Sequence, residues 1–164
     1  MKKCQQTLWE ENGQNMKKII WARIGWMLWT GIMMGVITLF SSQAGPQSNA
    51  MSSGLLTMLL EHLPKLSPEQ IEFCHFLLRK CAHFTLYFLL GIGMMGSFLT
   101  THMTVRQAFL ASCICCALFA AGDEWHQYLS GTRTGSVKDV ILDTCGALCS
   151  SAAFGAIRTR IQKG

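Results

Sequence analysis

The segment Ala121–Ala147 reads AGDEWHQYLSGTRTGSVKDVILDTCGA and holds most of the chain's chemically capable side chains. Asp123, Glu124 and His126 are carboxylate and imidazole groups of the kind that move protons or hold hard cations. Asp139 and Asp143 stand four residues apart, one helical turn. Arg133 lies in the small-residue stretch SGTRTGS, and its planar fork suits a phosphate or carboxylate. Earlier in the chain, RKCAHF places Lys80 one turn before His83, and Tyr87 follows one turn later. FSSQ contributes Ser41, Ser42 and Gln43 as hydroxyl and amide contacts or helix caps. A divalent ion would have to draw on Asp123, Glu124, His126 and one of His83 or Asp139. No HExxH or comparable ligand spacing is present, so neither a metal nor a cofactor is assigned.

The surroundings of these groups are apolar. Half of the 164 residues are hydrophobic and only 14% are charged, against about 25% charged in a soluble domain. Ile24–Phe40, Cys81–Val105 and Gln107–Gly122 contain no Asp, Glu, Lys or Arg, and Val140–Ile157 contains only Asp143. A bilayer core needs about 20 such residues. The sequence therefore predicts an all-α integral membrane protein with four transmembrane helices. An apolar stretch at Gly54–Leu63 predicts a short interfacial helix in the first outer loop. The expected organisation is a tail at 1–18, a four-helix membrane domain at 19–157 and a tail at 158–164. The first run is expected to be a retained helix, since a long basic start precedes it and no small-x-small cleavage site follows.

Helix boundaries are marked. Ser67-Pro68-Glu69-Gln70 is a capping box with Pro at the first helical position. Thr104 and Gln107 repeat the pattern before a helix expected to reach Leu129 or Ser130, with Gly131 as its stop. Ser136 opens the fourth helix, on which Gly146 and Ser150 continue the face of Asp139 and Asp143. With Gly91, Gly93 and Gly96 in the second helix, these small residues suit close helix packing. Asp123, His126 and Gln127 are expected on one face of the third helix, Glu124 and Tyr128 on a neighbouring one. Trp125 and Tyr128 fit an aromatic belt, and the eight cysteines are expected as small buried apolar residues, not bridges or ligands.

Lys and Arg counts set the expected orientation. Residues 1–23, the loop at Arg106 and the tail carry nine; Lys65, Arg79, Lys80, Arg133 and Lys138 make five on the other side. Both termini are thus expected in the cytoplasm, in a multi-pass membrane protein. The net charge of +5 follows from topology and calls for no nucleic-acid partner. Because spans alternate in direction, all four polar clusters are expected to meet in the outer leaflet. An ionisable Asp143 inside a span is costly and must find a partner or stay protonated; the candidate partners are His83, Lys80, His126 and Arg133. Arg79 is expected to contact lipid non-specifically.

The succession FSSQ, RKCAHFTLYFLLG and DEWHQYLSGTRTGSVKDVILDTCGA resembles the VanZ-like family of small bacterial membrane proteins over about Phe40–Ala147. The family pattern falls on Ser41, Ser42, Gln43, Lys80, His83, Tyr87, Asp123, Glu124, Gln127, Arg133, Gly135, Ser136, Asp139 and Gly146. Relatives often carry Glu where this chain has Leu86, which removes one charge partner for His83 or Lys80. The resemblance implies a bacterial cytoplasmic membrane, action at the cell envelope and a link to resistance against teicoplanin-type glycopeptides. The function expected is binding of an anionic, lipid-linked or glycolipid ligand among membrane lipids, by the residues above together with Asp143. The alternatives are a hydrolase or transferase acting on a lipid headgroup through His83, Asp123, Glu124 and His126, and a non-catalytic assembly partner.

Overall fold

The computed structural model describes residues 2–42, 54, 67–129 and 136–164. It contains α1 (Lys2–Ser41), α2 (Pro68–Leu99), α3 (Val105–Leu129) and α4 (Val137–Lys163), and no strand among the described residues. Each helix is long and apolar enough to cross a membrane, α1 from Gly13 onward. At about 1.5 Å per residue, α3 and α4 run for nearly 40 Å, and α2 for nearly 50 Å. Residues 2–18 are helical and continuous with the first span. The interfacial helix expected at Gly54–Leu63 falls outside the described residues, apart from Gly54, which is helical.

The caps explain why the helices begin where they do. Ser67 Oγ accepts from Gln70 N at 3.3 Å and Gln70 Oε1 accepts from Ser67 N at 2.8 Å, closing the box ahead of Pro68. Thr104 and Gln107 form the same reciprocal pair before α3. Ser136 Oγ caps α4 by accepting from Lys138 N at 3.2 Å. The apolar run Cys81–Val105 is not one span, however. α2 stops at Leu99, where the hydroxyls of Thr100 and Thr101 donate back to the carbonyls of Ser97 and Phe98, and a tight turn leads to Thr104. Hydropathy is blind to that stop, because threonine breaks no apolar run.

α4 packs most extensively on α2, and small residues let the backbones approach. A Cβ on Gly146 would lie 2.6 Å from Phe84 O, and one on Gly91 would lie 2.7 Å from Ala147 O. Ser150 and Ser151 in this seam donate to the carbonyls of Ala147 and Gly91. α1 lies on the other side of α2. Its buried stripe is Thr30, Ile37 and Ser41, one face at helical spacing. Gly93 and Gly96 receive the rings of Trp29 and Trp26, Trp29 Nε1 donates to Leu89 O at 3.0 Å, and Thr30 and Ser97 share a hydroxyl bond of 3.2 Å. The outward faces are apolar, as lipid contact requires: Trp21, Leu28, Leu118, Ile141 and Ile157 are all exposed. The cysteines correct the expectation of burial. All seven described ones are free thiols, but only Cys116 is buried, while Cys81, Cys145 and Cys149 face outward. In a membrane a thiol needs no burial to leave water.

The Gly146 contact is with backbone, which cannot swing away. Gly146→Ala is expected to destabilise the protein by about 1–3 kcal/mol through overpacking, and to lower membrane abundance and the detergent melting temperature. Gly122→Ala, with open space around it, is expected to leave both unchanged or slightly raised.

Candidate functional site

Antiparallel alternation brings the C-terminal ends of α1 and α3 to the N-terminal halves of α2 and α4. At that end the structure assembles four polar contacts between helices. Gln127 Nε2 donates to Ser41 Oγ at 2.6 Å and to Asp123 Oδ2 at 3.2 Å, tying α1 to α3. Ser136 N donates to Glu124 Oε2 at 2.8 Å, tying the start of α4 to α3. Lys80 donates to Asp139 in an ion pair between α2 and α4, and its ammonium lies 5.3 Å from the centre of the Phe76 ring. His83 Nδ1 stands 3.6 Å from Asp143 Oδ2, too far for a hydrogen bond.

Burial divides the candidates. Ser41, Asp123, Glu124, Gln127 and Asp143 are all at most 7% exposed. On α3 this follows from about 100° of rotation per residue: Asp123, Gln127 and Glu124 fall within one sector, and His126 falls beyond Asp123 on the far side. His126 is accordingly exposed and does not join Asp123 and Gln127, contrary to the shared face expected from spacing. Ser42 is exposed and donates to Leu39 O at 3.0 Å, a bond within its own helix end. Trp125 and Tyr128 are exposed and contact each other. Gln43, Arg133 and Gly135 lie outside the described residues.

Lys80, His83, Glu124, Gln127, Ser136 and Asp139 line one cleft of about 680 Å³, joined by Phe76, Arg79, Lys138 and Leu142. Asp143 lies behind His83, fully buried, and neither of its oxygens has a hydrogen-bond partner among the described residues; the same holds for His83 Nδ1 and the Tyr87 hydroxyl. Of the partners proposed for Asp143 from sequence that are among the described residues, His83 is the one within reach. Lys80 and His83 take their carboxylates from α4, so Leu86 in place of a glutamate does not leave them without acidic neighbours.

Arg79 also lines the cleft, a place the sequence reading did not give it. It stands four residues before His83, a spacing that places both on one face, and that periodicity was the available signal. Phe76 and Leu142 carried none, being apolar residues in apolar surroundings. Chemically, the lining offers three cations (Arg79, Lys80 and Lys138), two carboxylates (Glu124 and Asp139) and the imidazole of His83.

Lys80 and Asp139 are each about three-quarters buried at the side chain. Lys80→Met or Asp139→Leu alone is expected to cost about 1.5–3 kcal/mol, the range for a hydrogen bond to a charged group. The double variant is expected to lose less than the sum, measured as a double-mutant cycle of thermal unfolding in detergent.

No curated protein and no solved structure matches the chain. The sequence profile of the VanZ/LLP1 family matches residues 26–158, a stretch that takes in the C-terminal part of α1 and all of the cleft. On that match the chain belongs to the VanZ/LLP1 family.

Proposed function

We propose that this membrane protein binds the anionic headgroup of a lipid-linked or lipophilic ligand in the cleft between its helix ends. The observation that carries the proposal is the placement of Arg79, Lys80 and Lys138 on one cleft of about 680 Å³, bordered by an exterior of exposed apolar side chains. A ligand with a fatty chain lies along that exterior while its headgroup enters the cleft. Arginine offers a fork that matches phosphate, and the start of α4 adds the positive end of a helix dipole. The Lys and Arg bias supports an orientation with both termini inside, and the family supports a bacterial cytoplasmic membrane; in that orientation the cleft opens in the outer leaflet. Sequestering an envelope lipid there is a route to glycopeptide resistance of the teicoplanin type, the phenotype to which the family resemblance points.

A second reading, hydrolysis or transfer at the bound headgroup, is favoured by one observation. His83 lines the cleft with the Asp143 carboxylate behind its Nδ1, the disposition in which a carboxylate orients an imidazole base.

Native mass spectrometry of protein extracted in mild detergent tests the binding. The wild type is expected to retain phospholipid, and Arg79→Gln and Lys138→Gln to accumulate normally while retaining roughly tenfold less, the effect of losing about 1.4 kcal/mol. Equal loss of abundance would instead favour a purely structural polar cluster. Turnover of the retained lipid, abolished by His83→Gln, would favour the enzyme. Orientation is tested separately, in a background without native cysteines. A cysteine at exposed Val137 is expected to react with an impermeant maleimide in intact cells, and one at exposed Arg158 only after permeabilisation.

A further inference from the structure

We infer that the cleft cleaves the anhydride of a lipid diphosphate: His83 takes the terminal phosphoryl group onto Nε2, and water then releases it as inorganic phosphate. The inference rests on the headgroup binding proposed above and gives His83 the role of nucleophile.

His83 lines the cleft. Its Nδ1 stands 3.6 Å from Oδ2 of Asp143, and both atoms are buried and without a hydrogen-bond partner among the described residues. The exposed 19% of the side chain therefore belongs to the rest of the ring, which carries Nε2. A carboxylate behind Nδ1 favours the tautomer with the proton on that nitrogen and leaves Nε2 its lone pair. Catalytic pairs of this kind commonly tighten to a hydrogen bond only in the substrate complex. Asp143 itself is fully buried, and no Lys or Arg pairs with it among the described residues. A bare buried carboxylate is expensive. Phosphorylation of Nε2 supplies what it lacks, because a ring with a proton on Nδ1 and a phosphoryl group on Nε2 is a cation. Asp143 is thus a positioning residue, and its charge is matched where positive charge develops during the reaction.

The lining supplies the other parts. Arg79 and Lys138 take no part in an ion pair among the described residues, whereas Lys80 is held by Asp139. Two cations without carboxylate partners suit two linked phosphates. In the first step the Nε2 lone pair forms the N–P bond. The P–O bond of the anhydride breaks, and its electron pair stays on the departing lipid monophosphate. A phosphate is stable as an anion, so the leaving oxygen needs no proton donor; the alkoxide leaving from a phosphate ester would need one. In the second step water attacks phosphorus and its proton passes to Glu124, which lines the same cleft and lies within Coulombic reach of His83. The N–P bond breaks, its electron pair returns to Nε2, and Glu124 passes the proton to solvent. One water is consumed, and the products are a lipid monophosphate and inorganic phosphate.

Geranylgeranyl diphosphate with a radiolabelled terminal phosphate, given to the purified full chain in mild detergent, tests the inference. The expected result is release of labelled inorganic phosphate and, on rapid quenching, label on the protein that is lost in acid and kept in alkali, as on a phosphohistidine. His83→Gln is expected to abolish both while still retaining the diphosphate in native mass spectrometry, and added imidazole to restore phosphate release to His83→Ala. Asp143→Asn is expected to lower kcat on the order of 10²–10⁴-fold with KM unchanged, a split that a merely structural role would not produce. Diphosphate retained by the wild type with neither label nor phosphate release would overturn the reaction and leave headgroup binding standing; neither diphosphate nor phospholipid retained would remove both. Label that survives acid would rule out His83 as the nucleophile, and phosphatidic acid cleaved as fast would rule out the anhydride. The wild-type labelling stands on its own should a variant fail to accumulate. Inorganic diphosphate identifies the source: cleavage as fast as the lipid's supports a free anhydride of the same chemistry, whereas slower cleavage supports a membrane substrate.

Discussion

The contact of Gly146 with the carbonyl of Phe84 determines where everything polar in this protein can sit. Within a bilayer, helices gain little from hiding apolar surface from one another, so their association depends on close packing. α2 and α4 meet where neither has a side chain in the way. That approach fixes their relative height. His83 directly precedes Phe84, and Asp143 stands three residues before Gly146. The imidazole and the carboxylate are brought to 3.6 Å as a result of backbone packing, not because they attract one another strongly enough to arrange the helices. One turn outward the same register pairs Lys80 with Asp139.

α3 completes the cleft by a different principle. Its buried residues Ala108, Ser112, Cys116 and Ala120 are small and recur every four positions, which keeps the helix close along its length. At its end the same face changes from small apolar residues to Asp123, Glu124 and Gln127 without changing direction. The carboxylates are buried because they inherit a packing face. Gln127 then bridges Asp123 to α1, and Glu124 receives the amide that opens α4. Two of the three buried acids are thus tied to other helices through neutral donors.

The spans, their caps and the convergence of the four polar clusters were legible in the sequence, because each rests on a local rule: run length, Ser-x-x-Gln or Thr-x-x-Gln boxes, and alternation of direction. Facing was harder. The interval from Asp123 to His126 satisfies helical proximity as well as the interval to Gln127 does, and only the position of Glu124 on the other flank decides which neighbour turns inward. Arg79 illustrates the same difficulty: next to Lys80 at a membrane boundary it looks like an ordinary lipid-facing cation, and its membership of the cleft comes from the way α4 leans on α2. The end of α2 at Leu99 escaped hydropathy because threonine hydroxyls, not charges, terminate the helix.

The first helix touches the rest of the chain late. Its partners on α2, Leu89 and Ser97, follow their α1 counterparts by 60 and 67 positions, and Gln127 follows Ser41 by 86. As the ribosome delivers the chain into the membrane, α1 must therefore dwell alone in lipid for the time taken to make most of α2, and Ser41 waits longer still. Its nearly all-round greasy exterior is what such solitude demands, and its hydroxyls meanwhile bond to its own backbone, as those of inward Thr30 and outward Thr38 do. The segment that enters first is thus built to be independent, and closure of the cleft falls to the helices synthesised after it.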